Sequence, residues 1–373
     1  MMRALHWLTM AGVVLVLSAC ASSSNRPTPA PTPKGANTVG VQAAWRVSLG
    51  GGAQGLMPSE AKGRVAVASR AGQVMVLNGR DGAKVWQAQA PAAIDAGLGY
   101  DGQWVAAVLL GNQLTAWREG KMLWQAPLPA RVFTPPLVAG ERVFVLTGDR
   151  QVMAFDASNG GLIWEQKAPA ATLALESPGL LVARGNTLLV GLGAALWAIN
   201  PDNGQPLSSV VLFTPTGSNP VEQLADLVAG AHQASGTVCA RAFQRGVACV
   251  DVATSQVRWR ANQGGAQGLA GTANEIFATD DQGTVQAWSL ADGQPKWRQT
   301  LLQHRNVTGP LALGQTLVVG DGQGYVHWLS QADGAWQATM AGDGSAVTVP
   351  PLLAGGSVIT VSANGQVTGW RPQ

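Results

Sequence analysis

Three cysteines and four histidines are the whole stock of thiol and imidazole groups in this 373-residue sequence, so they bound the nucleophilic and near-neutral acid-base chemistry it can offer. Cys239 and Cys249 flank ARAFQRGVA, which reads as a hairpin turning at Gln244 to Gly246 with one cysteine on each arm. In an oxidising compartment the pair forms a disulfide if the register sets both on one face; a slip of one residue sets them on opposite faces. Cys249 also holds a position occupied by Ala116, Ala154 and Ala198 in comparable stretches, where a buried free thiol would fit, so both readings stand. His232, His304 and His327 are isolated in sequence, none at metal-ligand spacing from another His or Cys. His304 beside Arg305 and His327 within YVHWL read as structural residues. VVGDGQGY contains a G-x-G, but strand-like residues follow it where a phosphate loop would start a helix, so it reads as a hairpin turn. No catalytic residue, no metal site and no cofactor are expected.

The third cysteine carries a different chemistry. MMRALHWLTMAGVVLVLSAC has one positive charge, an apolar stretch near residues 11–17 and small residues before Cys20, the layout of an export signal over residues 1–19. Leu17, Ser18, Ala19 and Cys20 resemble a bacterial lipobox, which implies cleavage before Cys20 and a diacylglycerol on its sulfur. The polar, Pro-rich ASSSNRPTPAPTPKGANTVG then reads as a flexible tether over residues 20–40, reaching roughly 60 Å at about 3 Å per extended residue. Ala21 and Ser22 stand where retention in the inner membrane would imply Asp. The expected address is the periplasmic side of the outer membrane, with several acyl chains holding the protein there.

What must the rest of the chain be to use such an anchor? Hydrophobic residues make up 46% and charged residues only 12%, with 47 Gly and 21 Pro, which describes a turn-rich, well-buried body rather than a disordered one. The net charge of +3 falls to +2 without Arg3, and basic residues never run beyond a pair, so nucleic acid is not an expected partner.

A repeat organises that body: apolar, any, small, apolar, a few polar residues, Gly, three residues, Trp. It is read in VMVLNGRDGAKVW, LTAWREGKMLW, VMAFDASNGGLIW, VACVDVATSQVRW and VQAWSLADGQPKW, ending on Trp86, Trp124, Trp164, Trp259 and Trp297. LWAINPDNGQPLS and VHWLSQADGAWQA are degraded copies, with Ser208 and Ala338 in the Trp position. These positions are 38, 40, 44, 51, 38 and 41 residues apart, a period near 40 filled with short apolar strands and tight turns. Four strands in that span describe a propeller blade. The one segment with helical character is PVEQLADLV.

Continued past Ala338, the period reaches a Trp only beyond residue 373, while Trp45 stands in AAWRVSL near the start. The N-terminal strand is therefore expected to complete the last blade. The fold class is all-β, an eight-bladed β-propeller of four-stranded antiparallel blades over residues 41–373. GGAQGL at 51–56 and again at 264–269 places those segments at equivalent points of two blades. Blades splay with distance from the axis, so Trp45 and its counterparts read as structural indoles filling the widening wedge, and the Gly as a turn residue of positive φ.

The Gly-to-Trp unit resembles the PQQ-type propeller repeat, shared by quinoprotein dehydrogenases and non-catalytic lipoproteins. LLQHRNVTGPLALGQTLVVGDGQGYVHWL, residues 301–329, closely resembles the corresponding segment of the BamB family, the propeller lipoproteins of the β-barrel assembly machinery. That resemblance implies a non-catalytic periplasmic scaffold whose partners are the POTRA domains of BamA, the rest of that complex, unfolded outer-membrane proteins, and the membrane through its anchor. The family's contacting loops carry Leu-x-Leu-Arg and a stretch like R-L-x-D-V-D. Here TLALESPG supplies Leu173 and Leu175 with Glu176 at the Arg, and VEQLADLV supplies Leu224 and Asp226 with Gln223 at the Arg and Val228 at the second acid. By themselves Leu173 and Leu175 read as core strand residues, and Asp226 as a cap on a short helix. Two other readings stay open: a PQQ-dependent enzyme, for which the resemblance would imply adjacent cysteines that this sequence lacks, and a small-ligand binder using the propeller's channel. Outermost strands also present unpaired backbone to which an extended client could add.

Overall fold

The computed structural model describes residues 27–35, 37–168 and 173–373. The leader and Cys20 lie outside the described residues. Runs such as RVAVA, RVFVL and TLVVG are β-branched and buried on both faces, which favours central strands. Each pairs antiparallel with its sequence neighbours, and the described residues form eight four-stranded sheets with no α-helix among them. In chain order, blades 1 to 7 occupy residues 59–89, 94–127, 137–167, 181–211, 232–261, 269–299 and 311–341. Blade 8 takes residues 352–372 and adds the strand Val41–Ser48 as its fourth member, against Gln366–Pro372.

The fold is thus the expected eight-bladed ring, closed by the N-terminal strand. Ala43 lies opposite Trp370 and Trp45 opposite Gly369. First strands of neighbouring blades touch one another around the axis, so the fourth strands form the rim. Turns between second and third strands share one face of the ring with the inter-blade loops: Arg70, in such a turn, donates to the carbonyl of Gln54 in one of those loops and to that of Ile94, where the next loop enters blade 2. We call this the loop face. The other two turns of each blade share the opposite, turn face, where the Gly79 amide donates to the Gly63 carbonyl. The two GGAQGL segments do occupy equivalent inter-blade loops, ahead of blades 1 and 6.

The core lies between blades. One buried cluster joins Ala106, Leu114 and Trp124 of blade 2 to Val143, Val145 and Phe155 of blade 3. The repeated Trp organises these contacts. In every fourth strand the register shifts beside the Trp position, and in four blades a small residue of the third strand faces the indole: Ala116 opposite Trp124, Ala154 opposite Trp164, Cys249 opposite Trp259, Ala287 opposite Trp297, whereas Val76 faces Trp86 in blade 1. In blade 7 the pair is inverted, Trp328 opposite Ala338, so the degraded copy keeps the bulk on the adjacent strand.

All of the repeat's indoles but that of Trp86 also donate a hydrogen bond to the next blade. Nε1 of Trp124, Trp164, Trp259 and Trp297 donates to the carbonyls of Ala157, Pro201, Leu290 and Gln331, at 2.7–2.9 Å. Trp45 does the same to Gly79 at 3.2 Å, carrying the contact across the closure. The repeat's Gly sits in that receiving turn, and it has positive φ, as at Gly160 (76°) and Gly204 (74°). It also makes room, since a Cβ on Gly204 would lie 2.6 Å from Trp164 Cε3. Ser255, which replaces the Gly in blade 5, takes the same left-handed conformation at φ 54°. Blade 2 closes with the two-residue turn Glu119–Gly120, so Trp86 meets a shorter neighbour. Trp124, Trp164 and Trp259 are buried; Trp45, Trp86 and Trp297 are half-buried at the rim.

Two expectations are corrected. PVEQLADLV is not helical: residues 220–223 are a turn, and Leu227 and Val228 form bridges with Ala242 and Gly179. The segment expected as a free tether is docked where it is described: the Ala30 amide donates to the Gln303 carbonyl and the Thr38 amide to that of Gln337. Proline supplies the reason, because it pre-sets an extended conformation that loses little entropy on docking.

Candidate functional site

On the loop face of blades 3 and 4, the inter-blade loops after Leu162–Lys167 and after Pro206–Val211 come together over Arg150. Arg150 sits in the turn between the second and third strands of blade 3, at φ 64°, which throws its side chain over the neighbouring loops. One Nη2 donates both to Asp226 Oδ1 at 2.6 Å and to the Leu173 carbonyl at 3.2 Å. Asp226 Oδ2 accepts from the Leu175 amide at 3.3 Å. The ion pair is largely shielded, with side-chain exposures of 19% and 15%. A charge-assisted bond of that kind holds two loops in one geometry, and losing one partner leaves the other charge poorly solvated.

The sequence-derived candidates therefore do not scatter. Leu173, Leu175 and Asp226 are gathered by one guanidinium, and Leu175, Asp226 and Arg150 line a cleft of about 40 Å³ whose floor is Leu146 and Leu227. Leu173 is exposed, unlike the core strand residue its sequence alone suggests, and Leu175 is half-buried. Asp226 is no helix cap; it is the carboxylate that fixes the loop. Leu224 is half-buried at the end of the preceding turn, its amide bonded to the Val221 carbonyl, and it does not line the cleft. Glu176 and Gln223 are exposed, whereas Val228 is a core residue that no partner could read.

Sequence reasoning missed Arg150. Its role depends on Asp226, which is 76 positions away, and nothing local in GDRQ marks it. A second charged group extends the same face. Asp95 pairs with Arg131 at 3.1 Å and lies 3.8 Å from Arg70, and the Arg131 guanidinium covers the Phe133 ring. The bond to Asp95 raises the Arg131 pKa above its ordinary value, helped by the Asp95 charge and by that of nearby Glu176. With Leu110, Leu173 and Val221 exposed in turns and loops of the same face, that face combines apolar knobs with charges of both signs, the composition of a protein-binding surface.

Cys239 and Cys249 face each other directly across the second and third strands of blade 5 and are joined by a disulfide, with Cα atoms 4.0 Å apart and both side chains fully buried. The other candidate ligands are internal. His327 Nε2 lies 2.9 Å from Asp321 Oδ2, and His232 Nε2 lies 2.8 Å from the Thr272 carbonyl. Among the described residues no group of three or more His, Cys, Asp or Glu side chains is arranged to hold a metal.

Comparison with known proteins follows this architecture. The family described as "Outer membrane protein assembly factor BamB" matches residues 40–95 and 78–299. The protein of that name from Burkholderia pseudomallei is 33% identical over 97% of each chain. The one from Bordetella pertussis is 32% identical over 95% of this chain and 94% of its own, and the one from Escherichia coli K12 is 26% identical over 90% of each. Among solved structures, BamB from Moraxella catarrhalis superposes with a TM-score of 0.80 at 23% identity, over 89% of this chain and 99% of that one. A quinohemoprotein alcohol dehydrogenase from Pseudomonas putida HK5 gives 0.66 at 13% identity, over 90% and 77%. At those identities, both structural matches bear on the fold alone.

Proposed function

The chain belongs to the BamB family of outer membrane protein assembly factors, and from that premise we propose that it is a non-catalytic scaffold that binds the POTRA domains of BamA through its loop face. Membership gives the coarse role, a part in outer-membrane protein assembly at the outer membrane. The finer reading places the contact at Leu173, Leu175, Leu224 and Asp226. The observation that carries it is the Arg150 junction, which fixes two loops so that the exposed Leu173 projects beside the cleft. Affinity then comes from an apolar anchor on a preorganised loop, with the charges around it setting orientation.

The remaining parts of the reading rest on the sequence. Cys20 is the lipidation site, the propeller stands on the periplasmic side, and unfolded outer-membrane proteins are its clients. Exposed apolar residues on the fourth strands of blades 1 to 4, including Val85, Leu123, Ile163 and Leu207, favour an extended client along the rim.

Co-purification with tagged BamA tests the contact. Leu173→Asp combined with Leu175→Asp should abolish recovery of BamA while the melting temperature changes little, because Leu173 is exposed and Leu175 only half-buried. Full recovery of BamA by a folded double variant would dispose of the proposed site. Added PQQ with calcium should leave the melting temperature unchanged, since only a ligand that binds the native state raises it.

A further inference from the structure

Arg305, Asp321 and His327 are ionisable groups no more than 1% exposed in and beside blade 7, and the partner-binding reading makes no use of them. All three lie within residues 301–329. Asp321 Oδ2 accepts from Arg305 Nε at 2.7 Å and lies 2.9 Å from His327 Nε2. Its Oδ1 accepts from the amides of Gln323 and Tyr325, both at 2.9 Å, so the carboxylate is fully committed. His327 Nδ1 lies 2.9 Å from Thr339 Oγ1, and that hydroxyl oxygen accepts from Trp336 Nε1 at 2.8 Å.

The cluster ends in the N-terminal segment at both extremes. Arg305 Nη1 donates to the Ala30 carbonyl at 2.7 Å, and the Ala30 amide donates to the Gln303 carbonyl at 2.9 Å, so one loop grips Ala30 on both sides. At the other extreme Gly35 lies on Trp336, where a Cβ would come within 2.9 Å of Cζ3. Beyond it, the Thr38 amide donates to Gln337 at 2.8 Å. A buried guanidinium is costly unless its donors are met, and the partner of Nη1 comes from a residue 275 positions away. Pro27, Pro29, Pro31 and Pro33 hold the segment extended before it docks.

We propose that blade 7 carries a receptor for the chain's own N-terminal strap, residues 27–35 and 37–38, with Arg305 as the residue that grips it, and that the strap decides which face of the ring is held toward the membrane. The second half rests on the reading of Cys20 as the lipid anchor. The strap runs back along the rim of blade 7 from the turn-face end at Thr38 to the loop face at Ala30. When it is docked, the chain from Cys20 to Pro27 spans at most about 25 Å, against about 70 Å from Cys20 to Val41 if it were free, at roughly 3.5 Å per residue. A docked strap therefore keeps the loop face beside blades 6 and 7 nearest the bilayer.

Amide hydrogen exchange on the mature full-length chain tests the receptor. The Ala30 and Thr38 amides should exchange at least about tenfold more slowly than in an unstructured peptide, as hydrogen-bonded amides do. Arg305→Met should abolish that protection. Because Arg305 is buried, Ala30→Pro provides a second route: it removes the donor to Gln303 from the strap side, and Thr38 should then lose its protection in a chain of unchanged melting temperature. Free exchange of Ala30 and Thr38 in the unmutated protein overturns the receptor.

For orientation, the lipidated chain is placed in phosphatidylethanolamine–phosphatidylglycerol vesicles carrying a quencher lipid. A fluorophore at Gln282→Cys on the loop face should be quenched several-fold more than one at Ala332→Cys on the turn face, and Ala30→Pro should erase the difference. Equal quenching with the strap amides still protected overturns the orienting role. A chain that fails to float with the vesicles refutes only the anchor at Cys20, and the exchange result still decides the receptor.

Discussion

An indole in the fourth strand of a blade does two jobs here, filling the inter-blade wedge and donating to a carbonyl of the next blade. The Gly four residues before the next blade's Trp position serves both by turning the chain and leaving room. Trp164→Ala should cost about 3–5 kcal/mol, the usual range for emptying a large aromatic site, measured by denaturant unfolding. A loss under about 1 kcal/mol would mean the wedge collapses without it. Gly204→Ala against Gly236→Ala separates the two jobs of the glycine, since both have positive φ but only Gly204 faces Trp164, while nothing lies within 4 Å of a Cβ on Gly236. Both should pay the left-handed penalty of about 1–2 kcal/mol, and Gly204→Ala about 1–3 kcal/mol more from the clash. Equal losses would show that the glycine serves only the turn. The Trp, the small residue facing it and the Gly were legible in the sequence because all three recur within one repeat. The indole hydrogen bond was not, because its acceptor belongs to the next repeat and is a backbone atom without a residue signature. Arg150 was hidden for a related reason: a salt bridge between residues far apart in sequence leaves no periodic trace.

At the level of strands and turns, the sequence was readable wherever apolar alternation met Gly, Asp or Asn turns, and it misled where tertiary contacts override local propensity. PVEQLADLV has helix-forming residues, and the Glu222 amide donating to Oδ1 of Asn219, the residue just ahead of the segment, does start a turn. The turn stops because Ala225, Leu227 and Val228 are all buried, and three apolar residues so close together are better used by an extended segment bridging Gly179 and Ala242. Cys239 and Cys249 were ambiguous because hairpin register decides which face each occupies, and the sequence offers two. The structure makes them direct cross-strand partners beneath Trp259. Intact mass without reductant should be lower than the reduced mass by one pair of hydrogens. Replacing both cysteines with Ala should cost about 2–3 kcal/mol, the loop-entropy value for a short closed segment. Two alkylatable thiols in the denatured, unreduced protein would remove the bond from the account.

The whole molecule depends on a seam where its two ends meet, and the seam uses the same devices as every other blade boundary. Val41–Ser48 completes blade 8 by pairing with Gln366–Pro372, and Trp45 carries the indole contact onto Gly79 of blade 1. Val41 joins Trp370, Val358 and Trp328 in one buried cluster. In a ring every blade packs a neighbour on each side, so its stability is cooperative only while each boundary is filled. A chain beginning at Leu49 would expose the third strand of blade 8 along its length, uncover Trp370 and leave the Gly79 carbonyl without its donor. It should lose the single cooperative melting transition and self-associate through the open edge, as seen by calorimetry and size-exclusion chromatography. A synthetic peptide of residues 39–49 added in excess should restore part of the transition, since strand pairing supplies most of the missing contact. A monomeric truncated chain with an unchanged melting temperature would mean that blades 1 to 7 and the three remaining strands of blade 8 hold the ring without the seam.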